Sequence, residues 1–264
     1  MIAPPSFLQS ILAAKRQEVA RLRRLYPAAE LRRRAAQAPP VRDLAAALAS
    51  SPPPALMAEI KRRSPSAGDL RPEADAAELA RQYQAAGAAA ISVLTDHTHF
   101  GGSWDDLARV RRAVDLPVLA KDFFLHPAQI HRARAAGADA VLLIVAALSP
   151  SRLKDLYACA RETGLAALVE VHTADELARA LELDPALIAI NHRNLHTMQV
   201  DLTVSLRLRP LVPPHITLVA ASGLQKPEQL KTLYAGGLRA FLVGSSLMRA
   251  PRPAQALAAL NEAV

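Results

Sequence analysis

One short segment of this chain brings a carboxylate, a cation and two hydroxyls together: Ala58-Glu59-Ile60-Lys61-Arg62-Arg63-Ser64-Pro65-Ser66. Leu56 to Ile60 reads as a buried strand, and Ser64-Pro65-Ser66 reads as the turn that stops it. Groups at the exit of a buried strand can line one pocket, and a lysine flanked by a carboxylate and hydroxyls suits an acidic or phosphorylated substrate. Similar groups recur down the chain. Lys121 follows Leu119-Ala120 and precedes Asp122-Phe123-Phe124, and Glu170 closes Leu168-Val169. Two lysines in a partly desolvated mouth lower each other's proton affinity, which prepares one as a proton donor near neutral pH, with Glu170 as counter-charge or base. The turns Ala221-Ser222-Gly223-Leu224 and Val243-Gly244-Ser245-Ser246 carry small residues that let backbone N–H groups approach a phosphate.

Such groups act together only if the fold converges them. Three stretches repeat one another: Ala85-Ala86-Gly87-Ala88-Ala89-Ala90-Ile91, Ala135-Ala136-Gly137-Ala138-Asp139-Ala140-Val141 and Ala235-Gly236-Gly237-Leu238-Arg239-Ala240-Phe241. Each ends an alanine-rich helix at glycine and starts an apolar strand. Filling between them predicts strands near Leu56 to Ile60, Ala90 to Leu94, Val118 to Lys121, Ala140 to Val145, Ala166 to Val171, Leu187 to Asn191, Thr217 to Ala221 and Arg239 to Val243. Helices are predicted between them, as over Ala74 to Ala86 or Pro127 to Ala136. Alternating strands and helices imply parallel βα units, and eight of them imply the α/β class with a closed (β/α)8 TIM barrel. An open doubly wound sheet fits less well, because no Gly-x-Gly-x-x-Gly follows the first strand. Residues 1–264 are expected to form a single barrel domain, with 1–50 as added N-terminal helices.

In this fold reactive groups sit where strands end. The predicted C-terminal ends carry Glu59 and Lys61, Thr95 and Asp96, Lys121 and Asp122, Glu170 and His172, Asn191 and Arg193, Ser222, and Ser245, so polar groups gather on one rim.

Composition narrows the function classes. About half the residues are hydrophobic (51%), enough for a substantial core. The single Cys159 forms no internal disulfide and has no zinc-ligand spacing around it, so no zinc site is expected there. No stretch resembles a secretory signal or the roughly 20 apolar residues of a membrane span. A cytoplasmic protein is expected. The net charge of +8 invites a nucleic-acid reading, but much of it is arginine near the start: Arg16, Arg21, Arg23, Arg24, Arg32, Arg33 and Arg34. With Phe7, Leu8, Ile11, Leu12, Val19 and Leu22 on a helical period, these form the solvent face of an amphipathic helix. The expected partner is a small phosphorylated acidic substrate, with no nucleic acid, no membrane, and a monomer or weak homodimer as the state in solution.

Taken in order, Glu59-Ile60-Lys61 through Ser64-Pro65-Ser66, Leu94-Thr95-Asp96 with Phe100-Gly101-Gly102-Ser103, Lys121-Asp122-Phe123, Val169-Glu170-Val171-His172, Ile190-Asn191-His192-Arg193-Asn194-Leu195, Ser222-Gly223 and Leu242-Val243-Gly244-Ser245-Ser246-Leu247-Met248 run through nearly the whole barrel. In these motifs the chain resembles the indole-3-glycerol-phosphate synthases of tryptophan biosynthesis, and Ile11-Leu12 to Lys15 and Glu18 is similar to that family's added helix. The resemblance implies cofactor-free ring closure of 1-(2-carboxyphenylamino)-1-deoxyribulose 5-phosphate, with loss of carbon dioxide and water. It implies that Lys121 is the general acid, that Lys61 holds the substrate carboxylate, and that Glu170 is the base or dehydration partner. Glu59 and Asn191 would position these groups. Ser64, Ser222, Gly223, Gly244 and Ser245 would hold phosphate. Phe100, Phe123, Leu142 and Leu195 would wall the aromatic ring, with Leu242 among the substrate-binding positions. Arg193 would pair with a rim carboxylate or with the substrate.

Two positions depart from the family pattern. Ala221 stands where similar synthases usually carry a glutamate, which raises the alternative of a catalytically impaired paralogue that binds anthranilate-like phosphorylated ligands. On that reading the pocket is more positive and turnover slow, unless another carboxylate such as Asp122 compensates. His192 stands where asparagine is frequent and reads as a tolerated loop side chain. Another phosphate-binding barrel, including a Schiff-base aldolase using Lys121, is the remaining enzyme reading.

Overall fold

The computed structural model describes residues 6–264; Met1 to Pro5, the start of the expected extension, lie outside the described residues. Helix α1 (Phe7–Leu25) begins at a capping box in which Ser6 and Gln9 satisfy each other's backbone N–H groups. Its apolar stripe buries Leu8, Ile11, Leu12, Val19 and Leu22, and Lys15 is buried on the same face. Helix α2 (Ala28–Ala36) packs on α7 (Pro127–Ala135), joined by Leu22, Leu31 and Ala128. Helix α3 (Leu44–Ser50) contacts the first barrel strand.

The barrel strands are β1 (Ala55–Ile60), β4 (Ala90–Leu94), β5 (Val118–Lys121), β6 (Ala140–Ile144), β7 (Ala166–Val171), β8 (Leu187–Asn191), β9 (Thr217–Ala221) and β10 (Ala240–Val243). After β1 a small antiparallel hairpin pairs β2 (Arg63–Ser64) with β3 (Gly68–Asp69). All eight barrel pairings are parallel, and β1 joins both β4 and β10, so the sheet closes on itself. The predicted strands match within a residue. The helices predicted over Ala74 to Ala86 and Pro127 to Ala136 hold within two residues as α4 (Ala76–Ala85) and α7, and α6 (Trp104–Ala113), α8 (Pro150–Glu162), α9 (Ala174–Leu181), α10 (Thr203–Leu208) and α11 (Pro227–Ala235) also lie between strands. Three further helices were not predicted: α5 (His97–Phe100), α12 (Ser245–Arg249) and α13 (Pro253–Asn261).

Strand alternation divides the core in two. Leu56, Ala58 and Ile60 of β1 face the helix ring, whereas Ala55 and Met57 join Leu119, Leu142, Leu168, Ala189, Val219 and Leu242 inside the barrel. Glu59, Lys121, Glu170, Asn191, Ala221 and Gly244 continue these inward rows at the C-terminal ends, so the period of two aims them into one mouth. At the opposite end, Asp139 ahead of β6 accepts from the N–H groups of Arg42 and Val118, each at 2.8 Å. That pins the segment before α3 to the barrel floor.

Candidate active site

A cavity of about 1050 Å³, counted with its open mouth, lies at the C-terminal rim. Every site residue read from the sequence lines it, from Lys61, Lys121 and Glu170 to Ser64, Ser222 and Ser245.

The cations do not stand as an isolated pair. Glu59 lies between them, with Oε1 2.5 Å from Lys61 Nζ and Oε2 3.8 Å from Lys121 Nζ. Burial pushes the Glu59 carboxyl upward, but the two ammonium groups outweigh it and hold it below the usual carboxylate range. The counter-charge shared by the two lysines is thus Glu59, where the sequence reading assigns it to Glu170. Glu170 accepts a hydrogen bond from Asn191 Nδ2 at 2.9 Å, while Asn191 Oδ1 accepts from the N–H of Arg193 at 2.9 Å. Among the described residues Glu170 forms no salt bridge, and its carboxylate faces the cavity. Arg193 is held by the Met198 carbonyl at 2.9 Å, and burial pulls its guanidinium below the usual arginine value.

The apolar half of the cavity pairs Phe100 and Phe123, whose ring centres lie 6.4 Å apart. Leu142, Leu195 and Leu242 complete that wall, together with Phe7, Ile144 and Met198, which sequence reasoning had not placed there. Phe7 opens the apolar period of α1, and periodicity alone cannot separate a core residue from a pocket wall. On the other side, Ser222 and Gly223 both adopt positive φ (71° and 77°), a tight turn at the end of β9.

Gly244 has a second role that its sequence context does not reveal. A methyl group there would lie 2.4 Å from Glu59 Oε1 and 3.0 Å from Glu59 Cβ. The carboxylate end can swing, but Cβ is fixed to a central strand. Gly244→Ala is expected to displace Glu59 from between the lysines, lowering kcat/KM by about tenfold or more and stability by about 1–3 kcal/mol. Steady-state rates with urea unfolding check this; parental values in both would remove Glu59 from the account.

Three rim residues serve elsewhere. Asp122 and Asp96 turn to Lys15, at 2.7 and 2.9 Å, and Asp122 also accepts from Thr95 Oγ1 at 2.7 Å. Asp122 therefore cannot stand in for a carboxylate at position 221, because one oxygen is committed to the buried Lys15 ammonium and the other to Thr95. Neither is His192 a loop ornament: it is fully buried, with Nδ1 2.9 Å from the Ser222 carbonyl and Nε2 2.6 Å from Ser205 Oγ. Its outward position, one residue past inward Asn191, drives it between strand and helix.

A closed parallel barrel whose C-terminal rim gathers two lysines, two carboxylates and a small-residue turn around a cavity has the arrangement in which barrel enzymes carry their chemistry. The indole-3-glycerol phosphate synthase family model matches residues 8–260, and the chain belongs to that family. It is 47% identical to the indole-3-glycerol phosphate synthase of Saccharopolyspora erythraea, over 97% of this chain and 94% of that protein. Identity is also 47% to the synthase of Bordetella pertussis, over 96% and 98%. Among solved structures, thiamine phosphate pyrophosphorylase from Pyrococcus furiosus superposes with a TM-score of 0.61 at 17% identity, covering 84% of this chain and 97% of that one, a likeness of fold. No helix among the described residues is long and apolar enough to cross a membrane.

Proposed function

We infer that this chain is an indole-3-glycerol-phosphate synthase, a carboxy-lyase of tryptophan biosynthesis acting in the cytoplasm on a small phosphorylated acid. The observation that carries this reading is the Lys61–Glu59–Lys121 bridge facing Glu170 across a cavity with an aromatic wall. The impaired-paralogue alternative is not supported: the chain is 47% identical over nearly its whole length to synthases.

Attack of an aryl carbon on a ketone needs a flexible substrate folded until the reacting atoms meet. Anchoring the phosphate at Ser64, Ser222, Gly223, Gly244 and Ser245, and the carboxylate at Lys61, supplies that order. Phe100, Phe123, Leu142, Leu195 and Leu242 hold the ring. Lys121 gives its proton to the carbonyl oxygen as negative charge develops, and carbon dioxide then leaves to restore electrons to the ring. Glu170, held by Asn191, carries the proton transfers of dehydration. Its lack of a cationic partner suits that role.

Ala221 faces inward in register with Asn191 and Leu242. Because Glu59 already bridges both lysines, Ala221→Glu is expected to leave kcat within about threefold of the parent. A rise of tenfold or more would restore the reading of a pocket short of a carboxylate. The function itself is tested by complementation of a tryptophan auxotroph lacking this step: growth is expected from the parent gene and none from Lys121→Ala.

A further inference from the structure

We propose that His192 is a positioning residue for substrate phosphate, holding the Ser222–Gly223 turn in its left-handed conformation. This rests on the reading of that turn as part of the phosphate cradle.

Two successive residues of positive φ follow β9, and the first is not glycine: Ser222 has φ 71° and Gly223 has φ 77°. A serine held there needs an external constraint, because its Cβ crowds the backbone in the left-handed region. His192 supplies one. Its Nδ1 lies 2.9 Å from the Ser222 carbonyl, and a carbonyl only accepts, so Nδ1 carries the proton. Nε2 is then the acceptor for the Ser205 hydroxyl at 2.6 Å, which fixes both the tautomer and the ring plane.

The backbone of the same residue tightens the link. The N–H of His192 donates to the Ala221 carbonyl at 2.9 Å, and its own carbonyl accepts from the N–H of Asp201 at 2.9 Å. His192 thus ties the ends of β8 and β9 to the start of α10. The ring is fully buried. The carbonyl that it holds belongs to the peptide whose N–H is that of Gly223, so the orientation of this plane sets where that N–H points. Gly223 and Ser222 both line the cavity. Among the described residues the His192 ring hydrogen-bonds to the cavity lining through Ser222.

Isosteric replacements separate the two ring contacts. Asparagine places its amide nitrogen where Nδ1 lies and keeps the bond to Ser222; glutamine reaches toward Ser205 and loses it. Inorganic phosphate as a competitive inhibitor and 2-aminobenzoate as a phosphate-free ligand are the probes, with Gly223→Ala as the reference for a damaged cradle. His192→Gln is expected to weaken phosphate inhibition about tenfold, the worth of one well-placed hydrogen bond, and to raise KM more than it lowers kcat. Binding of 2-aminobenzoate should be unchanged, and His192→Asn should restore phosphate inhibition to near the parental value.

Equal behaviour of the asparagine and glutamine variants overturns the proposal, as does an equal loss for both probes, which marks a general structural defect. If Gly223→Ala weakens phosphate inhibition and His192→Gln does not, the cradle stands and the role of His192 falls. If neither changes it, or the parent is not inhibited, both fall.

Discussion

Lys121→Met is expected to lower kcat by about 10³-fold while KM moves less than about threefold. Methionine keeps an unbranched stem at the end of β5 and removes only the ammonium. Lys61 meets Glu59 Oε1 at 2.5 Å, whereas Lys121 faces Oε2 at 3.8 Å, so the closer contact and the proposed carboxylate anchor remain. The turns proposed to hold phosphate follow other strands, β9 and β10, and are also retained. Ground-state binding therefore survives, and the loss falls on the transition state alone, where the carbonyl oxygen gains charge. The contrast is Lys61→Met, where KM rises because a binding contact is lost. Steady-state kinetics on both variants, with circular dichroism to check folding, decide the matter. If Lys121→Met keeps more than a tenth of the parental kcat, another group is the acid.

Lys15→Met carries the largest expected effect on stability, a loss of about 3–5 kcal/mol in chemical denaturation. Lys15 is 1% exposed, and its ammonium meets Asp122 at 2.7 Å, Asp96 at 2.9 Å and Glu18 at 2.6 Å. Burial draws the Lys15 value down, but Asp122, Asp96 and Glu18 together outweigh it and raise it above the ordinary lysine value. The sign follows from linkage. A raised folded value contributes stability that is fully present below the unfolded value, about 10.4, and lost as the pH climbs through the folded one. Asp96 has the opposite sign: burial raises it, Lys15 and the His99 N–H overcome this, and the net lowering contributes stability above about 3.9 that is lost on acidification.

The network is thus intact from about pH 4 to about pH 10. Without Lys15, two buried carboxylates lose their ammonium. The variant's deficit should be greatest near neutral pH and shrink as acid removes the uncompensated charge. A deficit independent of pH would mean that lost packing, not charge, explains it. Because Asp122 directly follows Lys121, the same substitution should also slow turnover in whatever fraction folds.

Much of this architecture was legible in the sequence, for reasons that differ by residue. Barrel strands are short apolar runs cut off by glycine or proline, and three alanine-glycine repeats mark where helices give way to strands, so all eight were placed within a residue. The site was legible because the period of two makes the last inward residue of each strand a mouth residue. Glu59, Lys121, Glu170 and Asn191 stood out as polar groups at strand ends, and their separate roles came from the family resemblance.

What escaped was pairing across large separations. Lys15 is an ordinary member of a helical pattern until α1 is laid against β5, and only then do Asp96 and Asp122 turn away from the substrate. Glu59 sits one alternate residue before Lys61, close enough to be noticed, but its bridge to Lys121 and its fit over Gly244 need the closed barrel. His192 looked unconstrained because loops generally are. The bonds to Ser222 and Ser205 come from segments 30 and 13 residues away.

The central claim is that one rim closes an indole ring with a lysine as the acid. Its most direct measurement is turnover of 1-(2-carboxyphenylamino)-1-deoxyribulose 5-phosphate by the purified chain, with indole-3-glycerol phosphate and carbon dioxide quantified together. Equimolar release of the two is expected from the parent, and a loss of both from Lys121→Met. Substrate binding without either product, or carbon dioxide release undiminished in Lys121→Met, would contradict it.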